Sequence, residues 1–199
     1  MKHIYLIDPG HGGFIDGVYQ TAPRKMYQHS PSEIFYEGLY NRKIADLLMR
    51  KLWEENIPTI NLAPSDLDIP LLVRANIANS YYEHYRNAVL LSLHSNSGGG
   101  AGFEVFTSPG PTYSDHLAQR LGEELIAGFQ DIPFRADTSD GDLDKEEDFT
   151  ILTQTYCPAV LVECLFFDNY NEYLLLEDAD FRLAYVRTLV NWIKKVENE

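Results

Sequence analysis

Short apolar runs that end at a polar residue are the main pattern along this chain. Three of them lead to His11, His94 and Glu163, either through a Pro-Gly turn or directly. These runs span residues 4–7, 89–93 and 159–162. Runs of this kind are typical of buried parallel strands. Because ligands bind beyond the carboxyl ends of the strands in open α/β sheets, we expect the three polar residues to meet at one edge of one sheet.

The segment after the first turn predicts a loop and then a long helix. Residues 14–30 show little periodicity, so we expect a loop there. Ser30-Pro-Ser-Glu33 has the composition of a capping box with proline at the first helical position, which predicts a helix to about residue 55. Glu37 lies at helical spacing with the apolar face expected to pack on the sheet. The spacing alone leaves open whether this carboxylate is paired inside the protein or solvated at the edge of the apolar stripe.

The rest of the chain alternates between predicted strands and predicted helices. We expect strands at 57–62, 103–107 and 149–153, and helices at 70–86, at 114–129 and from 171 onward, with a restart near 180. The acidic segment 137–148 is expected to be a solvated loop. This alternation in a chain of 199 residues predicts a single-domain α/β fold, in which helices flank a largely parallel sheet.

The charge balance narrows the classes of partner. Lys and Arg total 16 against 30 Asp and Glu, which gives a formal net charge of −14. Nucleic-acid interfaces are basic, so we expect no nucleic-acid partner. We also expect no membrane span, because no apolar run reaches about 18 residues. The expected oligomeric state is a monomer. The first residues lack a secretory segment, which predicts either a cytosolic protein or a leader outside this chain.

A zinc site is the chemistry that the strand-end residues fit best. Catalytic zinc usually has three protein ligands and one open position, and two His with one Glu is an established set. His11, Glu37 and His94 supply that set, and Glu163 can accept the proton of an attacking water molecule. Taken singly, each histidine could be a satisfied polar residue and Glu163 a structural carboxylate. Their joint occurrence at strand ends favours a metal-dependent hydrolase.

Other hydrolase classes lack their signatures here. The chain has no Gly-x-Ser-x-Gly elbow, which counts against an α/β-hydrolase serine enzyme. It also has no His-Glu-x-x-His helix, which excludes that class of metalloprotease. Cys157 and Cys164 match neither a disulfide framework nor a common zinc site, so we expect both to be buried structural residues.

Five motifs together resemble those of a known family. They are Asp8-Pro-Gly-His-Gly-Gly13, Glu37-x-x-x-Asn41, Arg74-x-x-Ile-Ala-Asn79, Ser92-Leu-His-Ser-Asn96 and Cys157-Pro-Ala-Val-Leu-Val-Glu-Cys-Leu-Phe166. In this order they resemble the zinc-dependent N-acetylmuramoyl-L-alanine amidases of the Amidase_3 (AmiC/CwlV-like) group, and the resemblance covers nearly the whole chain.

The resemblance implies a fold, a cofactor and a reaction. The fold would be a six-stranded twisted α/β sheet with flanking helices, and residues 1–199 would form one catalytic amidase domain without wall-binding repeats. A single Zn2+ would be held by His11, Glu37 and His94, with Glu163 as the general base. The substrate would be peptidoglycan or a muropeptide, cut between N-acetylmuramic acid and L-alanine, so the site of action would be the cell wall.

Some segments depart from the family pattern. Residues 62–66 lack an Arg that many members carry, residues 167–169 read Phe-Asp-Asn, and the segment 14–30 has no clear counterpart. These departures leave the preferred stem peptide open. Two alternative functions also stay open: a zinc peptidase that cuts within the stem peptide, and a catalytically inactive wall-binding module.

Overall fold

A computed structural model describes residues 2–21, 24–139 and 141–199 of the chain. The strands are β1 (Ile4–Pro9), β2 (Phe14–Ile15), β3 (Val18–Tyr19), β4 (Met26–Ser30), β5 (Glu33–Tyr36), β6 (Thr59–Asn61), β7 (Ala88–Asn96), β8 (Phe103–Thr107), β9 (Lys145–Glu146) and β10 (Ala159–Phe166). The helices are α1 (Glu37–Glu54), α2 (Leu71–Tyr85), α3 (Tyr113–Gly128), α4 (Thr150–Thr153), α5 (Tyr170–Glu177) and α6 (Ala179–Asn198).

Six strands form the central sheet in the order β6-β1-β7-β10-β8-β9. All neighbouring pairs are parallel except β8 and β10, which run antiparallel. The predicted α/β fold with a largely parallel, six-stranded sheet is therefore confirmed. The parallel order brings the carboxyl ends of β1, β7 and β10 to one edge of the sheet, where each predicted run ends.

Helices cover both faces of this sheet and form two apolar clusters. The larger cluster joins the sheet to α1, α3 and α6, and it includes the fully buried Trp192. The smaller cluster lies under α2 and α4 and contains Leu90 of β7, Leu161 of β10 and Phe106 of β8. No helix in the described residues is long and apolar enough to span a membrane.

The predicted start of the first helix is wrong. Ser30 and Glu33 are paired across the turn of an antiparallel hairpin formed by β4 and β5, and α1 begins only at Glu37. The hairpin forms because Phe35 is buried there and packs in parallel against the ring of Phe167, with 5.2 Å between the ring centroids. Consequently the segment predicted as a loop also contains β2, β3 and β4, while Ala22 and Pro23 lie outside the described residues.

Two further local predictions need correction. Residues 149–153 were expected to form a strand, but α4 occupies them, because Ile151 and Leu152 both pack into the smaller apolar cluster. The cap of α3 is Thr112, not Ser114, and its hydroxyl accepts a hydrogen bond from the Ser114 amide. The acidic segment contains the short strand β9, and its residue 140 lies outside the described part of the chain.

Candidate metal centre

Three polar side chains form a row across neighbouring strands at the carboxyl edge of β7 and β10. Glu163 of β10 is the register partner of His94 in β7 and of Glu104 in β8. Directly paired residues lie on the same face of a sheet, so these three side chains are neighbours. Leu161, two residues before Glu163 on β10, pairs with Phe106, two residues after Glu104 on the antiparallel β8. Both belong to the cluster under α2 and α4, which identifies the face.

Glu37 reaches this edge from the first turn of α1 and is fully buried. Its Oε1 lies 3.0 Å from His94 Nδ1 and accepts a hydrogen bond from the Ser95 amide at 3.3 Å. The Nε2 atom of His11 lies 3.2 Å from the same oxygen. The three side chains of His11, Glu37 and His94 therefore offer ligand atoms that all lie within 4.8 Å of one another.

This geometry fits a small divalent cation. Zinc binds His nitrogen and carboxylate oxygen at about 2.0–2.2 Å in a tetrahedron, so neighbouring ligand atoms are roughly 3.4 Å apart. The distances of 3.0 Å and 3.2 Å from Glu37 Oε1 to the two histidine nitrogens are close to that value. In addition, His11 Nε2 and Glu37 Oε2 are buried without a hydrogen-bond partner among the described residues, as expected for atoms that coordinate a metal.

The electrostatics of the cluster favour the metal-binding forms of Glu37 and His11, whereas in the metal-free protein they favour the protonated form of His94. Burial raises the pKa of Glu37, but hydrogen bonds and positive charge from His11 and His94 outweigh burial and hold that pKa well below its usual range. Burial lowers the pKa of His11, although Glu37 opposes this shift. Burial also lowers the pKa of His94, but the hydrogen bond to Glu37 and the charge of Glu163 outweigh it and raise that pKa.

His11 has an unusual backbone conformation that two arginines hold in place. Its φ of +66° lies in the left-handed region, which is costly for a residue with a side chain. The carbonyl oxygen of His11 accepts hydrogen bonds from Arg42 Nη1 at 2.5 Å and from Arg74 Nη2 at 3.1 Å. These bonds fix the turn that directs the imidazole toward Glu37.

A buried ion pair forms the floor of the site. Arg74 Nη1 donates to Asp8 Oδ1 and to the carbonyl of Pro9, both at 2.7 Å, and Ser92 Oγ donates to Asp8 Oδ2 at 2.7 Å. Arg74 is itself 1% exposed. The pair links α2 to β1 and β7 directly below His11 and His94, because Asp8 and Ser92 are register partners.

Two glycines permit the close packing around the histidines. A Cβ atom at Gly10 would lie 2.2 Å from Cε1 of His94, so any side chain there would displace the imidazole. A Cβ atom at Gly38 would lie 1.9 Å from the carbonyl oxygen of Gly12. The close approach of α1 to the turn after β1, which brings Glu37 to the histidines, therefore requires glycine at this position.

Glu163 lies at an irregularity in its strand. The pairing of β10 with β7 shifts register between Glu163 and Phe166, and Leu165 has a φ of +61°. Bulges of this kind redirect side chains and are common near active sites. Burial, together with the negative charges of Glu37 and Glu104, raises the pKa of Glu163 to about 8, and its Oε2 is buried without a partner in the described residues.

The glycine-rich loop after β7 is tied to the segment after β10. Asp168 Oδ2 accepts hydrogen bonds from the amides of Gly98 at 2.8 Å and Gly99 at 2.9 Å. Asn169 Nδ2 donates to the carbonyl of Gly100 at 3.1 Å. Asp168, where this chain departs from the family pattern, and its neighbour Asn169 thus hold the loop beside Glu163.

A cavity of about 280 Å³ opens next to the two histidines. Besides His11 and His94, its lining includes Ile69, Pro70 and Leu71 at the start of α2. The site therefore has an apolar wall on the α2 side, where part of a ligand can be held away from water.

Several residues that sequence reasoning missed contribute to the site. Lys25 Nζ, from the hairpin segment, lies 3.7 Å from Glu37 Oε2. Arg42 fixes His11, and Glu104 lies opposite Glu163. The sequence places Arg42 one helical turn after Gly38 and Glu104 within a predicted strand. It does not reveal their partners, which come from distant segments. Both cysteines are buried and free of disulfides, as expected.

Comparison with known proteins assigns the chain to a family. The family model for N-acetylmuramoyl-L-alanine amidase, Amidase_3, matches residues 6–195. The chain belongs to this family. Its members are hydrolases that act on peptidoglycan, so the chain is a peptidoglycan amidase by family, in agreement with the resemblance of its motifs.

One curated relative agrees with the assignment, and two solved structures share the fold. The N-acetylmuramoyl-L-alanine amidase CwlM of Bacillus licheniformis is 27% identical over 193 residues, which is 97% of this chain and 68% of the relative. The crystal structure of an N-acetylmuramoyl-L-alanine amidase from Clostridium difficile 630 matches with a TM-score of 0.79 and 24% identity, covering 99% of this chain and 97% of that one. The catalytic domain of CwlV from Bacillus (Paenibacillus) polymyxa var. colistinus matches with a TM-score of 0.73 and 20% identity, covering 98% of each chain.

Proposed function

We propose that this chain catalyses the zinc-dependent hydrolysis of the amide bond between the lactyl group of N-acetylmuramic acid and L-alanine in peptidoglycan. One observation carries the proposal: the ligand atoms of His11, Glu37 and His94 converge within 4.8 Å, next to the row that holds Glu163. In an amidase-family chain, that combination of two imidazoles, a buried carboxylate and a second carboxylate supports a metal-assisted hydrolysis.

The three converging side chains would hold the zinc ion, and His94 would have to lose its proton to do so, because its pKa is raised. Glu37 is ionised, because its pKa is held low, and it has a buried oxygen without a partner. Burial lowers the pKa of His11, which favours the neutral imidazole that can coordinate a metal. When bound at such a site, zinc polarises a carbonyl and lowers the pKa of a water molecule toward about 7.

Glu163 would act as the general base and then as the general acid. Its carboxylate would accept a proton from the attacking water molecule and deliver it to the nitrogen of the leaving L-alanine. Because the pKa of Glu163 is about 8 next to Glu37 and Glu104, this group can hold a proton near neutral pH, as the second step requires. The charges of His94 and Lys25 oppose this rise in the pKa of Glu163, and a bound zinc ion would oppose it further, which favours the ionised form that the first step requires.

The cavity beside the histidines supports substrate positioning. The cavity beside the histidines has an apolar wall of Ile69, Pro70 and Leu71, which can exclude water from one side of the bound substrate. We propose further that residues 1–199 act as one catalytic domain, as a monomer, at the cell wall.

Product analysis tests the proposal. Purified peptidoglycan would be digested with zinc-loaded protein and the soluble products identified by mass spectrometry. Free stem peptides that begin with L-alanine, together with intact glycan chains, are expected. Shortened peptides still attached to muramic acid would instead identify a peptidase. Binding to the wall without any product would identify an inactive binding module.

A further inference from the structure

A cluster of charged and polar residues lies next to Glu163 and has no part in the proposed metal site. Glu104 accepts hydrogen bonds at Oε1 from Arg135 Nε at 2.8 Å and from Lys145 Nζ, and at Oε2 from Asn96 Nδ2. We call Asn96, Glu104, Arg135 and Lys145 the Glu104 cluster. Glu104 itself is 4% exposed, so the cluster is built around a buried carboxylate.

The Glu104 cluster carries one more positive charge than negative charge. Burial raises the pKa of Glu104, but its hydrogen bonds to Lys145 and Arg135 outweigh burial, so the carboxylate is ionised. Both cations pair with this single carboxylate. The excess is notable in a chain with a formal net charge of −14, because such a chain repels anions in general and attracts them only where cations are concentrated.

Arg135 has a fixed position and an accessible head group. Its backbone amide donates to the carbonyl of Phe103 at 2.9 Å, which ties the residue to the start of β8. Its guanidinium stacks over the ring of Phe166 at 5.3 Å from the centroid. The side chain is nonetheless 45% exposed, and among the described residues its Nη1 and Nη2 atoms have no hydrogen-bond partner.

We propose that Arg135, supported by Lys145, binds a carboxylate on the peptide portion of the substrate. This inference rests on the proposed amide hydrolysis. A guanidinium held at Nε by Glu104 still presents two terminal N–H groups in the planar geometry that matches a carboxylate. Because Glu104 is the register partner of Glu163, the guanidinium lies one side chain away from the proposed base.

The chemistry of the substrate identifies which portion supplies the carboxylate. On the sugar side, the lactyl carboxyl is consumed in the amide and the amino groups are acetylated, so no ionised group remains there. The peptide side ends in a carboxylate and can carry acidic side chains. An anion-binding residue beside the reacting groups therefore selects the peptide side and sets the direction in which the substrate lies across the site.

The test uses two synthetic N-acetylmuramoyl-L-alanyl peptides of one sequence, whose peptide carboxyl groups are either all free or all amidated. For the wild-type zinc enzyme we expect kcat/KM to favour the free acid by about 10- to 100-fold, mainly through KM, as for a charge-assisted hydrogen bond. In Arg135→Gln this ratio is expected to fall to near 1. Arg135→Lys keeps the charge without the planar fork, so it should retain an intermediate ratio.

Arg120→Gln is the matched control. Arg120 is an exposed arginine of α3 whose partners are Glu123 and Glu199, so its replacement should leave the ratio unchanged. We expect Arg135→Gln to keep its fold, because Lys145 still neutralises Glu104. Thermal unfolding of each variant checks this. Equal wild-type efficiencies for the two peptides, or a wild-type ratio in Arg135→Gln, would overturn the assignment.

A calorimetric titration separates this inference from the proposed reaction. The free and the amidated peptides would be titrated into the zinc-loaded wild-type protein and into Arg135→Gln. If the free peptide binds more tightly and this difference depends on Arg135, the carboxylate site is supported. If neither peptide is hydrolysed in the same experiment, the amidase mechanism is refuted. Hydrolysis of both peptides with equal affinity would refute the carboxylate site alone.

Discussion

Arg42 donates a hydrogen bond from Nη1 to the carbonyl oxygen of His11 at 2.5 Å. Its other nitrogens donate to the carbonyl of Ser65, at 2.8 Å from Nη2, so one guanidinium joins α1, the turn after β1 and the loop after β6. The bond stabilises a histidine whose φ is +66°. The candidate metal centre is thus held in place by a residue that contributes no ligand atom.

Replacing Arg42 should weaken zinc binding without removing a ligand. We expect Arg42→Ala to lower zinc affinity by about 10- to 100-fold, the usual effect of losing a residue that orients a ligand. A competition titration with a chromogenic chelator measures the change. Arg50→Ala, at an exposed position of the same helix, should bind zinc as the wild type does. Unchanged affinity in Arg42→Ala would show that the turn is rigid without it.

A side chain at Gly10 should displace His94. The added Cβ atom in Gly10→Ala would lie 2.2 Å from the imidazole, so the ring has to move away from Glu37. We expect zinc affinity to fall by at least about tenfold, because the ligand set is no longer preformed. Titration with zinc, together with thermal unfolding of the zinc-free variant, separates loss of the site from loss of the fold. Normal zinc affinity in a folded variant would mean that the ring position is not critical.

Lys25 should oppose the binding of a cation and stabilise the protein without one. Its ammonium group lies 3.7 Å from the second oxygen of Glu37. Lys25→Met removes a like charge from the metal site, so zinc affinity should rise severalfold. The same change leaves Glu37 with one countercharge fewer, so the zinc-free variant should unfold at a lower temperature. Lys43→Met, on an exposed part of α1, is the control for both measurements, and a fall in zinc affinity in Lys25→Met would contradict the account.

Asp144 should make the protein less stable as the pH rises toward neutrality. Burial, with the charges of Asp142 and Asp115, raises its pKa to about 7, whereas an unfolded aspartate titrates near 3.9. Between these values the folded state binds more protons than the unfolded state, so the free energy of unfolding falls as the pH rises. The contribution of Asp144 is complete below about pH 4 and is lost as the pH passes through about 7.

Asp144→Asn tests that prediction because its amide stays neutral and its oxygen can still accept the hydrogen bond from Thr107 Oγ1. Urea denaturation between pH 4 and 8 should show a gain in stability at pH 8 over the wild type, and the gain should shrink as the pH falls. Asp148→Asn, in the exposed part of the same segment, should keep the wild-type slope. A parallel pH dependence in wild type and Asp144→Asn would assign the slope to other groups.

The strand ends could be predicted because each apolar run stops at a polar residue or a Pro-Gly turn, which marks the end of a strand in the sequence itself. The runs before His11, His94 and Glu163 are local patterns, and the parallel rule that brings their ends to one edge needs no further information. The spacing of Glu37 in the helix left open whether its carboxylate is paired inside the protein or solvated, and the structure brings it to both histidines. The meeting of the three strand-end residues could therefore be predicted from the apolar runs, whereas the position of Glu37 needed the fold, and the chemical roles of all four residues remain proposals.

The hairpins and the supporting residues could not be predicted in the same way. Ser30-Pro-Ser-Glu33 carries signals for both a helix start and a turn, and the burial of Phe35 decides in favour of the hairpin. Arg42 and Glu104 act through partners that are distant in sequence, at Ser65 and Arg135. Such pairs become visible only when the fold brings the segments together.

Glu163→Gln is the most direct test of the central claim, which is that Glu163 transfers the proton in a hydrolysis that His11, Glu37 and His94 support by holding zinc. Zinc content by elemental analysis and the rate of release of L-alanyl peptides would be measured on the same samples. The account predicts wild-type zinc content and a rate lower by about 10²- to 10⁴-fold, the usual contribution of a general base. A near-normal rate would contradict the role of Glu163. If the variant lost zinc as well as activity, Glu163 would instead belong to the metal site.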